Sequence, residues 1–290
     1  MSDLEIKQQV RKFYDQVGWQ IVSDGFYQNA RYEDLRTVSQ DYIWKCHMRI
    51  NRHLIRPGKY LLDAGSGPIQ YPAYLTYSEG YQYRICADIS IVALKEARKR
   101  IGQKGLFVVA DVAQLPFCEN AIDGVVSLHT LHHLPLSEQK KAYKDIYRVL
   151  AYGKSAVLVN GWTESSLMNK WQWLVRLMET IGGWVAQIRR KKPAEEMQVN
   201  MTQKSEKPKK PTGTFVEKLD AALIRRELDG KDLQILVWRS VSVRFLRAVI
   251  HKLLGGKLWL KLLYNLEEKN PEYYGEQGQY PLIIFRKSGS

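Results

Sequence analysis

Short apolar runs alternate with longer amphipathic segments between residues 59 and 161. The runs are rich in Val, Ile and Leu, have the length of strands, and end in polar or glycine-containing turns. The segments between them repeat apolar residues at helical spacing, most clearly over 92–101 and 137–150. This alternation predicts βαβ units and a mainly parallel sheet. The predicted strands are 60–64, 83–88, 106–111, 123–128 and 155–159.

The segments outside this region extend the same architecture. Two more strand-like runs, 233–239 and 281–287, complete a predicted seven-stranded sheet, and residues 4–56 carry mostly helical patterns. Ser137 is the expected N-cap of the helix over 137–150, with Gly153 near its end. The predicted fold class is therefore α/β: a doubly wound, mainly parallel sheet with helices on both faces, N-terminal helices, and a helical insertion after the fifth strand.

Changes in composition divide the chain into four expected segments. Within the third of them, residues 190–213 are so rich in Pro, Lys, Gln and Glu that they cannot bury enough apolar surface to fold, so we predict a flexible loop there. The four segments are an N-terminal helical cap (1–56), a core (57–161), a Trp-rich and basic insertion or lid (162–218), and C-terminal helices with the last strands (219–290).

The overall composition limits the class of protein. With 45% hydrophobic and 26% charged residues the chain has the balance of a globular protein, which excludes wholesale disorder. Three widely spaced cysteines without a C-x-x-C pair predict neither a disulfide framework nor a Cys-rich zinc site, and they favour a reducing cytoplasm. Because the N-terminus is charged and no apolar run approaches the ~18 residues of a membrane span, we expect a cytoplasmic, soluble or membrane-peripheral protein. The formal net charge of +14 favours an anionic partner such as nucleic acid, an acidic membrane or a phosphorylated substrate.

A glycine turn follows the first predicted strand. The chain runs from Asp63 through Ala64 into Gly65-Ser66-Gly67, and Asp88 ends the next predicted strand. In open α/β sheets, ligands bind at the carboxyl ends of the strands, where glycines let the backbone approach and a carboxylate accepts hydrogen bonds from a ribose. Glycine is also used in such turns for steric reasons alone, so the turn by itself indicates a site only weakly.

Four motifs in order resemble those of the class I S-adenosylmethionine-dependent methyltransferases, particularly the small-molecule group that includes the ubiquinone and menaquinone methylating enzymes. The motifs are LLDAGSG at 61–67, ADIS at 87–90, ADVAQLPF at 110–117, and the stretch 117–135. The resemblance covers about residues 40–161 strongly and the last strands loosely. It implies a Rossmann-like fold, an enzyme that transfers methyl groups, and S-adenosylmethionine as cofactor with S-adenosylhomocysteine as product.

Carried over residue by residue, the resemblance implies how this cofactor is held. The backbone of Gly65, Ser66 and Gly67 would lie against its methionyl part, while Asp63 supports the amino group and Asp88 takes the ribose hydroxyls. The remaining contacts would be Ile89 and Val112 beside the adenine ring, Asp111 at the adenine amino group, and Leu128 and His129 on the methionine side.

The turn departs from two known patterns. Pro68-Ile69-Gln70 stands where the methyltransferases often have a third glycine, which alters the start of the next helix. The turn also lacks the full G-x-G-x-x-G of dinucleotide-binding enzymes, so the residues argue against a dehydrogenase.

Histidines follow the fourth predicted strand, where the acceptor is expected to arrive. Methyl transfer from a sulfonium needs donor and acceptor at near-attack distance and, for a hydroxyl or acidic carbon, removal of a proton. His129, His132 and His133 are the candidate bases, because histidine titrates near neutral pH. Alternatively, His132 and His133 cap the following helix or pack in the loop, and His129 is a wall of the cofactor site. Without a nearby Cys, Asp or Glu at ligand spacing, no metal site is predicted.

Aromatic and basic residues flank the core on both sides. Tyr14 lies in a segment resembling the N-terminal helix that closes over the cofactor in relatives, where it either walls the site from water or packs the helix onto the sheet. Four tryptophans fall between 162 and 184 and bases follow them, a pattern typical of an interfacial helix. This segment either contacts a membrane or covers the substrate pocket. Over 241–268 the bases are expected to form the wet face of helices whose apolar face covers the sheet.

We therefore expect a methyltransferase that moves a methyl group from S-adenosylmethionine to a small or lipophilic acceptor, with O-, C- and N-methylation unresolved. We also expect the protein to contact a membrane surface peripherally through residues 162–192. Nucleic acid is not expected, because the chain lacks the Asn/Asp-Pro-Pro-aromatic turn of enzymes that methylate the amino groups of bases. The alternatives are a non-catalytic scaffold that keeps the cofactor pocket and binds a membrane surface, and an RNA methyltransferase.

Overall fold

The computed structural model describes residues 2–20, 27–190 and 214–289. Most of the predicted flexible loop, residues 191–213, lies outside the described residues. In the described part of the chain the elements follow in the order α1 (Asp3–Phe13), α2 (Gln40–Met48), β1 (Gly58–Ala64), β2 (Tyr81–Asp88), α3 (Ile91–Ile101), β3 (Gly105–Val109), β4 (Ile122–Leu128), α4 (Leu136–Val149), β5 (Leu150–Val159), α5 (Ser166–Arg190), α6 (Ala221–Glu227), β6 (Asp232–Arg239), α7 (Val243–Val249), α8 (Gly256–Lys269), α9 (Pro271–Gln277) and β7 (Tyr280–Arg286).

The strands form one sheet in the order β3-β2-β1-β4-β5-β7-β6. All neighbouring pairs are parallel except those made by β7, which runs antiparallel to both β5 and β6. The chain builds outward from β1 through β2 to β3, then returns to place β4 on the other side of β1. The strand order therefore reverses between β1 and β4, which is where doubly wound sheets bind ligands.

Both faces of the sheet are covered, because successive side chains of a strand point to opposite sides. Leu62 and Val125 belong to a buried cluster completed by Tyr143 of α4 and Ile224 of α6. Leu61 belongs to the cluster on the opposite face, completed by side chains of α2, α3, α7 and α8. The predicted doubly wound α/β fold with N-terminal helices is confirmed.

Two expectations about the ends of elements are wrong. Helix α4 begins at Leu136, after Pro135 in extended conformation, and Ser137 lies inside its first turn. The hydroxyl of Ser137 donates instead to Asp3 Oδ2 at 2.6 Å, which ties α4 to α1. Gly153 does not end this helix but lies within β5, with a φ of +71°.

The tryptophans of the insertion do not share one environment. Trp162 precedes α5 and is buried, and its Nε1–H donates to the carbonyl oxygen of Gly275 at 2.7 Å. Trp171, Trp173 and Trp184 lie on α5 and are exposed. No helix among the described residues is both long and apolar enough to cross a membrane.

The expectation for the C-terminal helices is wrong for most of α8. Leu246 of α7 and Leu260 of α8 are buried against the sheet, as the pattern predicts. However, Leu253, Leu258 and Trp259 are exposed, so much of the apolar surface between 252 and 269 covers nothing in the described structure.

Candidate active site

The glycine turn leaves the carboxyl end of β1 in a conformation that depends on glycine. Gly65 has a φ of +77° and Gly67 a φ of +55°, in the left-handed region that side chains disfavour. A Cβ at Gly65 would lie 2.1 Å from the side chain of Thr130. Ile69 lies in the stretch where the third glycine is missing, and it is buried with a φ of +57°. The chain then enters a 3₁₀ turn, Pro72–Ser78.

Asp88 holds the turn from the end of β2. Its Oδ2 accepts from the backbone N–H of Gly67 at 2.9 Å and its Oδ1 from that of Ser90 at 2.8 Å. Burial raises the pKa of Asp88 to about 6, and the two backbone hydrogen bonds oppose that rise. The carboxylate thus keeps the turn closed at the edge of a cavity.

Asp63 is paired with a buried arginine that the sequence analysis missed. Arg84, at the centre of β2, has its guanidinium against Asp63, with Nε 3.2 Å from Oδ2, and also donates to the carbonyl oxygen of Tyr74. Burial raises the pKa of Asp63, while the charge of Arg84 lowers it. The sequence offered one signal for this pair, because Arg84 is a charged residue inside the otherwise mostly apolar strand predicted over 83–88. One Asp63 oxygen is therefore committed to the fold, and the expected amino-group contact would have to share this carboxylate.

Helix α1 contacts the region beyond β3 through Lys7, a second residue that the sequence analysis missed. Asp111 lies beyond the end of β3, where its Oδ1 accepts from the backbone N–H of Ala113 at 2.9 Å. Lys7 of α1 places its Nζ 2.6 Å from Asp111 Oδ2 and also contacts Glu138 of α4. These contacts, which are remote in sequence, fix α1 over the cavity.

Tyr14 and His133 form another part of the wall of the same cavity. The Tyr14 ring stacks on Trp19 with centroids 4.9 Å apart, and its hydroxyl lies 2.7 Å from His133 Nε2. Because His133 Nδ1 lies 2.8 Å from the carbonyl oxygen of Phe215, we assign the proton to Nδ1, so that Nε2 accepts from Tyr14. Burial lowers the pKa of His133 and raises that of Tyr14, which keeps both groups neutral.

The residues that the resemblance implies for the cofactor converge on one cavity at the carboxyl ends of β1 and β4. The cavity fits a ligand that brings polar groups, because Trp19 Nε1 and Gln70 Oε1 line it and are buried without a hydrogen-bond partner within the described structure. The side chain of Thr130 leaves no room for a Cβ at position 65, so the turn keeps its backbone exposed to the cavity only as glycine. The predicted residues that line the cavity are Tyr14, Asp63, Gly65, Ser66, Gly67, Asp88, Ile89, Asp111, Val112, Leu128 and His129.

A second cavity lies directly beside the first. It is walled by aromatic rings, among them Tyr71, Trp238 and Tyr280, and by the polar residues Arg239 and Lys218. The two cavities share several lining residues and are therefore neighbours. The shared residues are Tyr14, Asn29, Gln70, Tyr74, His129 and His133.

The three candidate histidines occupy different positions around these cavities. His129 has a φ of +55°, packs edge-on against Trp238, and has its pKa lowered to about 3 by burial and by the charge of Arg239. His132 lines only the second cavity, whereas His133 lines both. Across the described parts of the chain, no group of three or more His, Cys, Asp or Glu side chains is arranged to hold a metal ion.

Comparisons with known proteins agree with this geometry. Residues 62–158 match the family model described as a methyltransferase domain. The chain is 34% identical over 119 residues to tRNA (carboxymethyluridine(34)-5-O)-methyltransferase of Arabidopsis thaliana, covering 39% of this chain and 28% of that protein. It is 29% identical over 115 residues to 24-methylenesterol C-methyltransferase 2 of the same plant, covering 38% of this chain and 31% of that protein. The matches thus span about three tenths of the length of these two curated relatives.

A solved structure supports the fold over nearly the whole chain. Geranyl diphosphate C-methyltransferase from Streptomyces coelicolor A3(2), in complex with S-adenosylhomocysteine, superposes with a TM-score of 0.52 at 12% identity, covering 97% of this chain and 98% of that one. The fold, the family match and the four motifs agree. Residues 62–158 therefore match a methyltransferase domain, and the chain as a whole has the Rossmann-like fold of such enzymes.

Proposed function

We propose that this protein transfers a methyl group from S-adenosylmethionine to a small lipophilic acceptor bound in the second cavity. The observation that carries the proposal is that the two cavities share His129, Tyr14 and His133 as common walls. A ligand in each would meet at these side chains, which supplies the proximity that methyl transfer requires. The aromatic walls of the second cavity suit an acceptor with an apolar body.

The cofactor supplies an electrophilic methyl group on a sulfonium. The glycine turn, Asp88 and Asp111 would hold the cofactor. Lys7 and Tyr14 would exclude water on the side of the cavity that the N-terminal segment covers. Exclusion of water matters because water screens the charge of the sulfonium. The protein thus contributes mainly binding, orientation and a dry site.

His132 is the histidine best placed to take a proton from the acceptor. Asn160 Nδ2 donates to the hydroxyl of Tyr143 at 3.1 Å, which turns Asn160 Oδ1 towards His132 Nδ1, 3.4 Å away. We therefore assign the proton of His132 to Nδ1, so that Nε2 keeps a free lone pair beside the second cavity. The same lone pair on His133 is occupied by Tyr14, and the ring of His129 packs edge-on against Trp238. Burial lowers the pKa of both His129 and His132, so the choice of His132 rests on its position beside the second cavity.

The test is methyl transfer from labelled S-adenosylmethionine to a panel of phenols, quinols and isoprenoid lipids. We expect one class to be labelled. His132→Ala should then lower kcat by about a hundredfold or more, within the 10²–10⁴ range of general acid–base catalysis, and leave S-adenosylhomocysteine affinity unchanged. His129→Ala removes a side chain that lines both cavities, so it should lower both kcat and the affinity for S-adenosylhomocysteine. Cofactor binding without transfer to any acceptor would favour the scaffold alternative.

RNA is the second candidate acceptor, favoured by the tRNA-methylating relative and the net charge of +14. Binding driven by phosphate contacts falls steeply with salt. Our proposal expects no saturable tRNA binding at physiological salt, measured by fluorescence anisotropy against NaCl concentration. Tight binding with a steep salt slope, together with labelling of tRNA, would make RNA the acceptor.

We also propose a cytoplasmic location with peripheral membrane contact through 162–192. The three cysteines are free, with Cys46 and Cys86 buried and Cys118 exposed, which suits a reducing compartment. On α5 the exposed residues Trp173, Leu177 and Ile181 are each four positions apart and so lie on one face. That apolar face supports contact with a lipid surface.

A further inference from the structure

About half of the large apolar side chains that are exposed among the described residues lie in two short parts of the chain. One is helix α5. The other is residues 252–269, which comprise a 3₁₀ turn (Lys252–Leu254) and α8, and which we call the 252–269 segment. The exposed residues in these two parts are Trp171, Trp173, Leu177, Ile181, Trp184, Leu253, Leu254, Leu258, Trp259, Leu262 and Leu266. A concentration of this kind marks an interaction surface, whereas scattered exposed residues do not.

The apolar face of α8 points away from the protein. Leu258 is 73% exposed and Trp259 61%, while Leu260 is 2% exposed and packs on the body of the protein. Leu262 and Leu266 follow Leu258 at intervals of four residues, which places all three on the outer face. The turn before the helix presents Leu253 at 95% exposure. The outer surface of an ordinary helix would be polar at these positions.

Lysines border this face. Lys252, Lys257 and Lys261 are all exposed, and none has an acidic partner within hydrogen-bonding or ion-pair distance in the described structure. At about 100° per residue, Lys257 and Lys261 lie between the apolar face and the buried face of the helix. The segment therefore combines leucines, an exposed tryptophan and unpaired lysines, which is the composition of helices that lie in the interface of a membrane.

We propose that the 252–269 segment docks this protein on an anionic lipid bilayer. Leu253, Leu258 and Trp259 would enter the boundary between headgroups and acyl chains, while the lysines contact anionic headgroups. Charge selects this occupant over a second copy of the chain. In a two-fold dimer the same face meets itself, so that two sets of unpaired lysines would confront each other.

The docking face adjoins a route into the acceptor cavity. His251, just before the segment, lines a surface groove together with Met178 of α5. Lys218 and Tyr280 line both that groove and the acceptor cavity. A lipophilic acceptor could thus pass from the bilayer to the methyl-transfer site. This last step rests on the proposed function, whereas binding to the bilayer does not.

The experiment is co-sedimentation of the full chain with vesicles of phosphatidylcholine alone, or of phosphatidylcholine and phosphatidylglycerol in equal parts. We expect binding to the mixed vesicles only. The triple variant Leu253→Ser/Leu258→Ser/Trp259→Ser should lower the partition coefficient by about tenfold or more, because these three apolar side chains would no longer be buried in the bilayer. Tyr152→Ser, which removes an exposed aromatic ring elsewhere on the surface, should bind as the natural protein does.

Lys252→Gln/Lys257→Gln/Lys261→Gln should remove the preference for anionic lipid. Titration of S-adenosylhomocysteine into each variant shows whether it is folded, and it tests the cofactor site separately from membrane binding. Undiminished partition of the apolar variant would overturn the proposal. So would a dimer of the natural protein, seen by sedimentation velocity, that the apolar variant abolishes.

Discussion

At residue 65 a single added methyl group would collide with Thr130. Gly153 offers a matched control, because its φ of +71° is similar and no atom lies within 4 Å of the Cβ position. We expect Gly153→Ala to cost about 1 kcal/mol through left-handed strain alone. Gly65→Ala adds the clash, so it should lower the melting temperature further and abolish S-adenosylhomocysteine binding. Equal effects of the two variants, by thermal melts and calorimetry, would show that the turn does not shape the site.

The raised pKa of Asp88 predicts that ligand affinity depends on pH. Burial stabilises the protonated carboxyl in the folded state, so the contribution of Asp88 to the stability of the unliganded protein rises as the pH falls through about 6. A ribose that donates hydrogen bonds needs the carboxylate, so affinity for S-adenosylhomocysteine should decline over the same pH range. Calorimetry at pH values on both sides of 6 measures this, with Asp88→Asn expected to remove the dependence. An affinity that stays constant as the pH falls would separate Asp88 from the ligand.

Some residues of the candidate site could be predicted from the order of the strands, whereas others depend on contacts with residues remote in sequence. Asp88, the glycine turn and His129 stand at the ends of predicted strands, so their approach to one cavity follows from the topology of a parallel sheet. Lys7 could not be predicted as a site residue, and for Arg84 the sequence signals a buried charge but not its partner. Lys7 meets Asp111 only after α1 folds back across the sheet, and Arg84 pairs with Asp63 across two adjacent strands.

At the scale of elements, α1 acts as a cover held at its edge by Lys7. Lys7→Ala removes its contacts with Asp111 and Glu138, so α1 should separate from the cavity more often. We expect S-adenosylhomocysteine to dissociate severalfold faster, on the scale of about 1 kcal/mol for a partly buried pair. Lys99→Ala, which removes an exposed pair with Glu96 on α3, is the control and should leave the rate unchanged. Stopped-flow displacement measures both, and identical rates for the two variants would refute a covering role.

Strands were predictable where helix surfaces were not. An apolar run of strand length between turns has few alternatives in a parallel sheet, and all seven predicted strands are present. Six have ends within two residues of the prediction, whereas β5 begins five residues earlier, at Leu150. The amphipathic pattern of 252–269 specifies a helix with an apolar face but not what covers that face. In the structure the sheet is covered by Leu260 and its neighbours, and Leu258 and Trp259 face outward. Ser137 was misplaced for a similar reason, since its partner Asp3 is remote in sequence.

At the scale of the whole molecule, three features lie in sequence along one path. The candidate cofactor cavity sits where the strand order reverses, the aromatic cavity adjoins it, and the groove lined by His251 shares Lys218 and Tyr280 with the aromatic cavity. The net charge of +14 has a place in this arrangement as an attraction towards an anionic surface. The sequence alone could not choose among anionic partners, because charge is not directional until the fold places it.

The most direct test of this account is calorimetric titration of S-adenosylhomocysteine into the natural protein, Asp88→Ala and Asp123→Ala. Asp123 is the matched control, because its carboxylate also accepts two backbone N–H groups, from Lys59 and Tyr60, but at the opposite end of β1. We predict micromolar binding that Asp88→Ala weakens by about 10- to 100-fold, the loss of a charged hydrogen bond, and that Asp123→Ala leaves unchanged. A folded natural protein that does not bind, or equal weakening by both variants, would contradict a cofactor site at the glycine turn.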